Sequence, residues 1–393
     1  MARSRSIVIA GAGIGGLTAA LTLTRAGYRA VVLEQAARLE EAGAGIQLSP
    51  NATRVLFELG LADRLRPLVV APEAIRIING RSGRDIVRVP LGASAEERYG
   101  APYWVIHRAD LQAVLAAALE QSPDVTLRLA TRVEDFALHQ HGITVQARGA
   151  DGTRDELGIA LIGADGLWSA VRPSLGDRRQ PTFAQRTAWR AVMPAASLPA
   201  ECGAADTCLW LGRDAHLVHY PVRGGREVNI VAIVRDDWHG PGWSVPGEPA
   251  ELGPRFAHFA PAARALIALP ERWQKWALFD RPPRRMRSDG PVTLLGDAAH
   301  PMLPFLAQGG AMAIEDAAVL AQCLGRDDDP ARALRAYEAA RQRRVARVQR
   351  EARQNSWRYH LSGPLAFARD TVLASLGPER LLQRYDWLYG WRV

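Results

Sequence analysis

Ile7-Val8-Ile9-Ala10-Gly11-Ala12-Gly13-Ile14-Gly15-Gly16-Leu17 decides how the chain folds. Four apolar residues in a row read as a strand buried on both faces, the pattern of a parallel sheet covered by helices. Gly11-x-Gly13-x-x-Gly16 follows at once. The first glycine permits a tight turn, the second lets the backbone approach a pyrophosphate, and the third lets the next helix pack close to the strand. Leu17 to Ala26 reads as that helix, ended near Gly27, and Ala30 to Leu33 as a second strand. Glu34 stands at its end, 18 residues beyond Gly16, where a carboxylate can bind ribose hydroxyls. Together these make a dinucleotide site, and the motif alone does not choose between a flavin and a nicotinamide dinucleotide.

Outward from this unit, a helix is predicted over Asn51 to Leu59, and strands over Ile75 to Ile78 and Ile86 to Val89 with a turn through Gly80 to Gly83. Asp110 to Gln121 reads as a helix with Asp110 as its N-cap, followed by strands at Val125 to Leu129, Ile143 to Ala147 and Leu161-Ile162. From about 183 to 280 short alternating strands predict an antiparallel sheet, with Gly224-Gly225 turning between two of them. Val292 to Leu295 is again a buried strand, and helices follow over about 310–324 and 331–360. The fold class is therefore α/β (α+β). A Rossmann-like dinucleotide domain (1–180 and 285–325, with an inserted strand pair near 75–100) is interrupted by an antiparallel substrate-binding sheet (181–284), and the C-terminus (326–393) is helical. A length of 393 residues suits two intertwined units.

Hydrophobic residues make up 48% of the chain, which fits a packed core and argues against disorder. No apolar run approaches the ~18 residues of a transmembrane helix, and the polar lead before Ile7 does not read as a secretory signal. Cys202, Cys208 and Cys323 form no C-x-x-C pair, so a reducing, cytoplasmic setting is expected. The formal charge is +8, yet Lys275 is the lone lysine among 49 basic residues. Such a skew reads as base composition, and no nucleic-acid partner is expected. Arg332, Arg335, Arg341, Arg343, Arg344, Arg347, Arg350 and Arg353 read as a solvated helix face that could also serve a membrane surface or a homodimer. No two His or Cys stand at ligand spacing with a carboxylate, so no metal is expected.

Two further motifs carry chemistry. Gly163-Ala164-Asp165-Gly166-Leu167-Trp168-Ser169 places a carboxylate at a strand end, where it can take sugar hydroxyls. Gly296-Asp297-Ala298-Ala299-His300-Pro301 follows the strand at 292–295 and continues through Pro304 to Gln308-Gly309-Gly310-Ala311-Met312-Ala313-Ile314-Glu315-Asp316. Asp297 can hold a polyol, and a helix starting near Gly310 turns its N–H groups and positive dipole end toward negative charge.

Three such motifs in this order resemble the single-component, FAD-dependent aromatic hydroxylases, over about residues 5 to 350. Pro304-Phe305-Leu306-Ala307-Gln308-Gly309-Gly310-Ala311-Met312 is most similar to the salicylate, 3-hydroxybenzoate and 6-hydroxynicotinate branch. The resemblance implies tight, non-covalent FAD, with Glu34, Arg38, Arg108, Asp165 and Asp297 in contact with it. It places Gly45 and Gln47 in a loop beside the isoalloxazine and the backbone near Val133 at the adenine, and Gly309 to Ala311 at the flavin's pyrimidine side. No second G-x-G-x-x-G follows a strand, because Gly43-Ala44-Gly45 lacks the third glycine. NADH or NADPH is thus implied as a transient co-substrate. The reduced flavin would react with O2 at C4a, and the hydroperoxide would hydroxylate an electron-rich ring.

Hydroxylating a phenol calls for a base beside its hydroxyl. Alternation along His216-Leu217-Val218-His219-Tyr220 puts His216, Val218 and Tyr220 on one face and His219 on the other. By the resemblance His216 and Tyr220 meet the substrate, Gln308 could hydrogen-bond it, Pro304 lies over the flavin edge, and His300 is structural. Arg190 or Arg213 could pair with a carboxylate. The function implied is hydroxylation of a small hydroxylated aromatic or N-heteroaromatic acid. Two readings remain open: the same chemistry on a neutral or larger substrate such as urate or a polyketide, and a flavin dehydrogenase or reductase without oxygen insertion.

Overall fold

The computed structural model describes residues 5–39, 44–199, 202, 205–240, 242–283 and 290–393. Gly43, and the 284/285 boundary drawn from the sequence, lie outside them.

A five-stranded parallel sheet runs in the order β18 (Val292–Leu294), β11 (Ala160–Gly163), β1 (Ser6–Ala10), β2 (Arg29–Leu33), β7 (Val125–Arg128). The apolar run of β1 is divided by the pleat. Ile7 and Ile9 enter a core shared with the helices Ile14–Arg25, Arg108–Glu120 and Gly309–Arg326, while Val8 and Ala10 face the other side. That other side is covered by a three-stranded antiparallel sheet, β8 (Arg132–His139), β9 (Gly142–Gly149) and β10 (Gly152–Gly158), through Val133, Ile143 and Val145. Burial on both faces is why β1 carries no polar alternation.

The second sheet has eight strands in the order β16 (Ser244–Gly247), β17 (Trp273–Asp280), β12 (Thr182–Pro194), β15 (Glu227–Arg235), β14 (Ala215–Val222), β13 (Thr207–Gly212), β4 (Ala74–Asn79), β5 (Asp85–Pro90). All its pairings are antiparallel except β13 with β4. The hairpin at 74–90, assigned from sequence to the nucleotide unit, thus completes the edge of this sheet. Gly45 and Gln47 do not lie in a loop. They form β3 (Gly45–Leu48), paired antiparallel with β6 (Trp104–His107). The cap of the Arg108–Glu120 helix is His107, whose ring accepts the Ala109 N–H, so Asp110 falls inside the first turn.

The arginine-rich helix Pro330–Tyr359 departs most from its sequence reading. Arg341 is 1% exposed and pairs with Glu315 at 2.7 Å and Asp316 at 2.6 Å, and Arg344 pairs with Glu315 at 2.6 Å. Arg353 meets Asp280 of β17. Arg332, Arg335, Arg343, Arg347 and Arg350 are exposed as expected, while Arg341, Arg344 and Arg353 instead lock two helices and a strand together. The charges of these three need acids from elsewhere in the chain, which periodicity does not reveal.

Candidate functional site

Local turn geometry builds the first part of the site. Gly11 has φ +102°, and a Cβ there would lie 2.5 Å from the Ala164 carbonyl oxygen, so only glycine brings the ends of β1 and β11 together here. A Cβ on Gly16 would stand 2.0 Å from the Gly11 carbonyl oxygen, whereas one on Gly13 meets nothing within 4 Å. Gly13, the N-cap of the Ile14–Arg25 helix, therefore presents bare backbone to open space. Glu34 sits beside this turn and accepts the N–H of Ala12 at 2.7 Å and of Ala36 at 2.9 Å.

The cleft has two lobes that share Gly13, Ala164 and Gly166. The smaller, of about 230 Å³, is lined by Gly11, Glu34, Val133 and Asp165. Asp165 Oδ2 accepts the N–H groups of Ala170 and Val171 at 2.7 and 3.2 Å, and its Oδ1 is buried with no hydrogen-bond partner. Burial raises this carboxyl above the ordinary aspartate range. The larger lobe, of about 340 Å³, brings together Gly45, Gln47, Arg108, Arg190, His216, Val218, Tyr220, Asp297, Pro304, Gln308, Gly309 and Gly310. Asp297 opens into it, and burial raises its carboxyl above the ordinary aspartate range against the smaller lowering pull of His300 and Arg108. Gly309 and Gly310 start the helix Gly309–Arg326, so its N-terminal N–H groups end at this lobe.

These features fit an extended dinucleotide: an open backbone turn, a buried carboxylate oxygen in want of a donor, and a helix N-terminus spaced along one cleft. Glu34, Asp165 and Val133 could hold the nucleoside half. Arg108, Asp297, Gly309 and Gly310 could hold the other. Arg38 lies on an exposed bend and lines neither lobe, and the Ala311 side chain is in the core.

The wall opposite the dinucleotide motifs is the β14 strand. His216, Val218 and Tyr220 face the cavity. His219 points away, accepting the Trp210 Nε1–H at 3.3 Å and donating to the Cys202 carbonyl at 3.1 Å. Burial holds His219 down to about 4. A Cβ on Gly45 would collide with the Tyr220 ring, so β3 and β14 touch here only because Gly45 lacks one. Burial raises the Tyr220 phenol, which stays a donor at neutral pH. The ring of His216 packs at tilted and edge-on angles among Phe305, Tyr359 and His360 with centroids at 5.4, 5.4 and 4.9 Å. Burial, then His360 and Arg186, push its pKa well below the usual range, so the ring is neutral.

Gln308 and Arg213 behave differently from the sequence reading. Gln308 borders the lobe, but its amide is engaged elsewhere: it donates to Ser49 Oγ at 2.8 Å and accepts from Asn51 Nδ2 at 3.1 Å. Arg213 lies in a separate surface groove with Asp214. Arg190, weighed equally with it from sequence, lines the lobe. Its Nε is buried without a partner, and its guanidinium lies 5.7 Å over the Trp276 ring. No pattern in the sequence separated Arg190 from the other arginines. His300 is structural in its contacts, with Nε2 at 2.5 Å from Asp316, which also accepts the Gly296 N–H. No cluster of potential metal ligands occurs among the described residues. No helix there is long and apolar enough to cross a membrane.

Residues 4–352 match the family described as FAD binding domain. The chain is 41% identical to a 3-hydroxybenzoate 6-hydroxylase of Aquipseudomonas alcaligenes over 386 residues, covering 98% of this chain and 97% of that one. It is 42% identical to a 3-amino-4-hydroxybenzoate 2-monooxygenase of Streptomyces platensis, covering 98% and 96%. Among solved structures, Klebsiella pneumoniae HpxO with FAD and uric acid superimposes with a TM-score of 0.85 at 28% identity, covering 96% of this chain and 95% of that one.

Proposed function

The chain belongs to the FAD binding domain family and is an FAD-dependent aromatic monooxygenase using NAD(P)H and O2, and on that premise we propose that its substrate is a small hydroxylated aromatic acid bound between Arg190 and His216. When bound, FAD takes electrons from the nicotinamide and activates dioxygen. The chain's residues bind, orient and exclude water. In this reading Glu34, Asp165 and Val133 hold the adenosine end, Arg108 and Asp297 hold the middle, and the N-terminus of the Gly309–Arg326 helix stabilises the negative charge of the reduced ring.

One observation carries the choice of an acid. Arg190 is a half-buried cation lining the cavity, with a buried, unsatisfied Nε and no ion pair among the described residues. A buried donor without a partner is costly, and a substrate carboxylate would complete it with charge-assisted hydrogen bonds. His216, in the same lobe, accepts the proton of the ring hydroxyl as the ring is attacked, and Tyr220 donates a hydrogen bond to the bound molecule. The two sequence relatives, named for hydroxybenzoates, support the same class.

A screen of NADH oxidation with product identification tests this. It pairs each hydroxybenzoic acid with its neutral amide and includes urate, the ligand of the structural neighbour. The expected result is turnover of an acid, with Arg190→Met raising KM for it by about 10- to 100-fold, as loss of a charge-assisted hydrogen bond of about 1.5–3 kcal/mol implies. Turnover of the amide or of urate in preference to every acid, with KM unmoved in Arg190→Met, would refute the assignment.

A further inference from the structure

We propose that His360, which ends the long Pro330–Tyr359 helix, is a positioning residue that fixes His216 in the tautomer whose Nε2 is a bare acceptor facing the cavity. The proposal rests on His216 being the base. The argument is one of hydrogen counting. His360 Nδ1 lies 2.6 Å from the Ser356 carbonyl oxygen. A carbonyl only accepts, so this nitrogen carries the hydrogen. A neutral imidazole carries one hydrogen, which leaves His360 Nε2 as an acceptor. That nitrogen lies 2.8 Å from His216 Nδ1. The contact is a hydrogen bond only if His216 Nδ1 holds the hydrogen, and His216 Nε2 is then a lone pair. Burial supports both assignments by keeping the rings neutral, His360 down to about 3 and His216 well below its usual range.

The alternative tautomer of His216 would set two lone pairs against each other at 2.8 Å in a dry environment. It would also turn an N–H, useless as a base, toward the substrate hydroxyl. Phe305 and Tyr359 flank the ring and hold its plane. When the substrate O–H bond breaks, the proton forms an Nε2–H bond and His216 becomes imidazolium. Its Nδ1–H to His360 then becomes a charge-assisted hydrogen bond, which stabilises the charge at the moment it appears. A proton relay from His216 can run no further than His360 Nε2. His360 already donates to a carbonyl that cannot take a proton, so the proton leaves through the cavity with the product. None of this was legible in the sequence, because His360 and His216 are brought together only by the packing of a helix end against β14.

The test uses holoenzyme labelled with 15N-histidine. NMR should show His216 with a hydrogen on Nδ1 and none on Nε2; the reverse assignment overturns the proposal. In parallel, His360→Leu should lower the hydroxylation rate by at least about tenfold and divert NADH oxidation to peroxide, with substrate KM and FAD content near normal. His360→Gln, whose amide oxygen can take the place of the Nε2 acceptor, should recover most of that loss. Equal damage in both variants, or none in either, also overturns it. Should neither variant retain FAD, the NMR result on the unmodified enzyme decides. A His216→Gln variant that hydroxylates at the normal rate would refute the base itself; a defective one alongside an unaffected His360→Leu would refute only the positioning.

Discussion

Cε2 of Tyr220 lies 2.5 Å from where a Cβ on Gly45 would stand. Two strands distant in sequence, one from the β3–β6 pair and one from the eight-stranded sheet, therefore meet at the substrate cavity through a missing methyl group. Gly45→Ala would drive the Tyr220 ring into that cavity. Overpacking of this kind costs about 1–3 kcal/mol, so if that strain falls on substrate binding KM should rise by roughly 5- to 150-fold. FAD content should hold, since the collision is with Tyr220. Steady-state kinetics with flavin absorbance checks both.

Glu34 braces the glycine turn through the Ala12 N–H at 2.7 Å as well as facing the smaller lobe. Glu34→Ala removes both functions, whereas Glu34→Gln keeps an oxygen for the turn. FAD affinity, followed by flavin fluorescence on titration of apoprotein, should fall by more than about tenfold in Glu34→Ala and by less in Glu34→Gln. Equal affinity in all three proteins would show that the carboxylate has no part in holding the cofactor.

Arg341 is sealed between Glu315 and Asp316, and His300 and the Gly296 N–H share Asp316 with it. Removing one partner leaves uncompensated buried charge. Arg341→Met should cost about 3–5 kcal/mol, read from urea unfolding. The Asp297 turn is tied to the same carboxylate through Gly296, so FAD should also bind more weakly.

Three buried histidines make stability depend on pH. His219 is held down to about 4, His360 to about 3, and His216 well below the ordinary value. A depressed folded pKa means that the unfolded chain takes up protons first. Their stabilising effect is complete above the unfolded value of about 6.5 and is lost as pH falls through the folded values. Unfolding free energy should decline between about pH 6.5 and 4 by up to about 1.4 kcal/mol per pH unit for each histidine. His219→Phe should flatten that slope by one proton's worth. An unchanged slope would mean His219 is already charged in the native state.

Much of this was legible along the chain because it is local. The strand, turn and helix of residues 7–25 follow from apolar runs and glycine spacing, and the split of His216 and Tyr220 from His219 follows from period-two alternation. What escaped depends on long-range contacts. Arg341 and Arg344 looked like a solvated face because Glu315 and Asp316 lie some 25 residues away in a facing helix. Arg190 was indistinguishable from other arginines until the cavity showed its unpartnered Nε. The amide of Gln308 was expected toward the substrate, yet Ser49 and Asn51, from another helix entry, claim it.

The parallel ladder between β4 and β13 joins Ile75 to Thr207 and Asn79 to Leu211. A strand made early in synthesis finds β5 on one side at once but must wait for more than a hundred further residues before it finds β13 on the other. Until then Arg76, Ile77 and Ile78 have a naked strand border, the sort of surface on which chains adhere to one another. Cutting the gene into a nucleotide half and a substrate half would not yield two soluble pieces. Each would lack the other's selvedge, and the protein is one fabric woven from both ends.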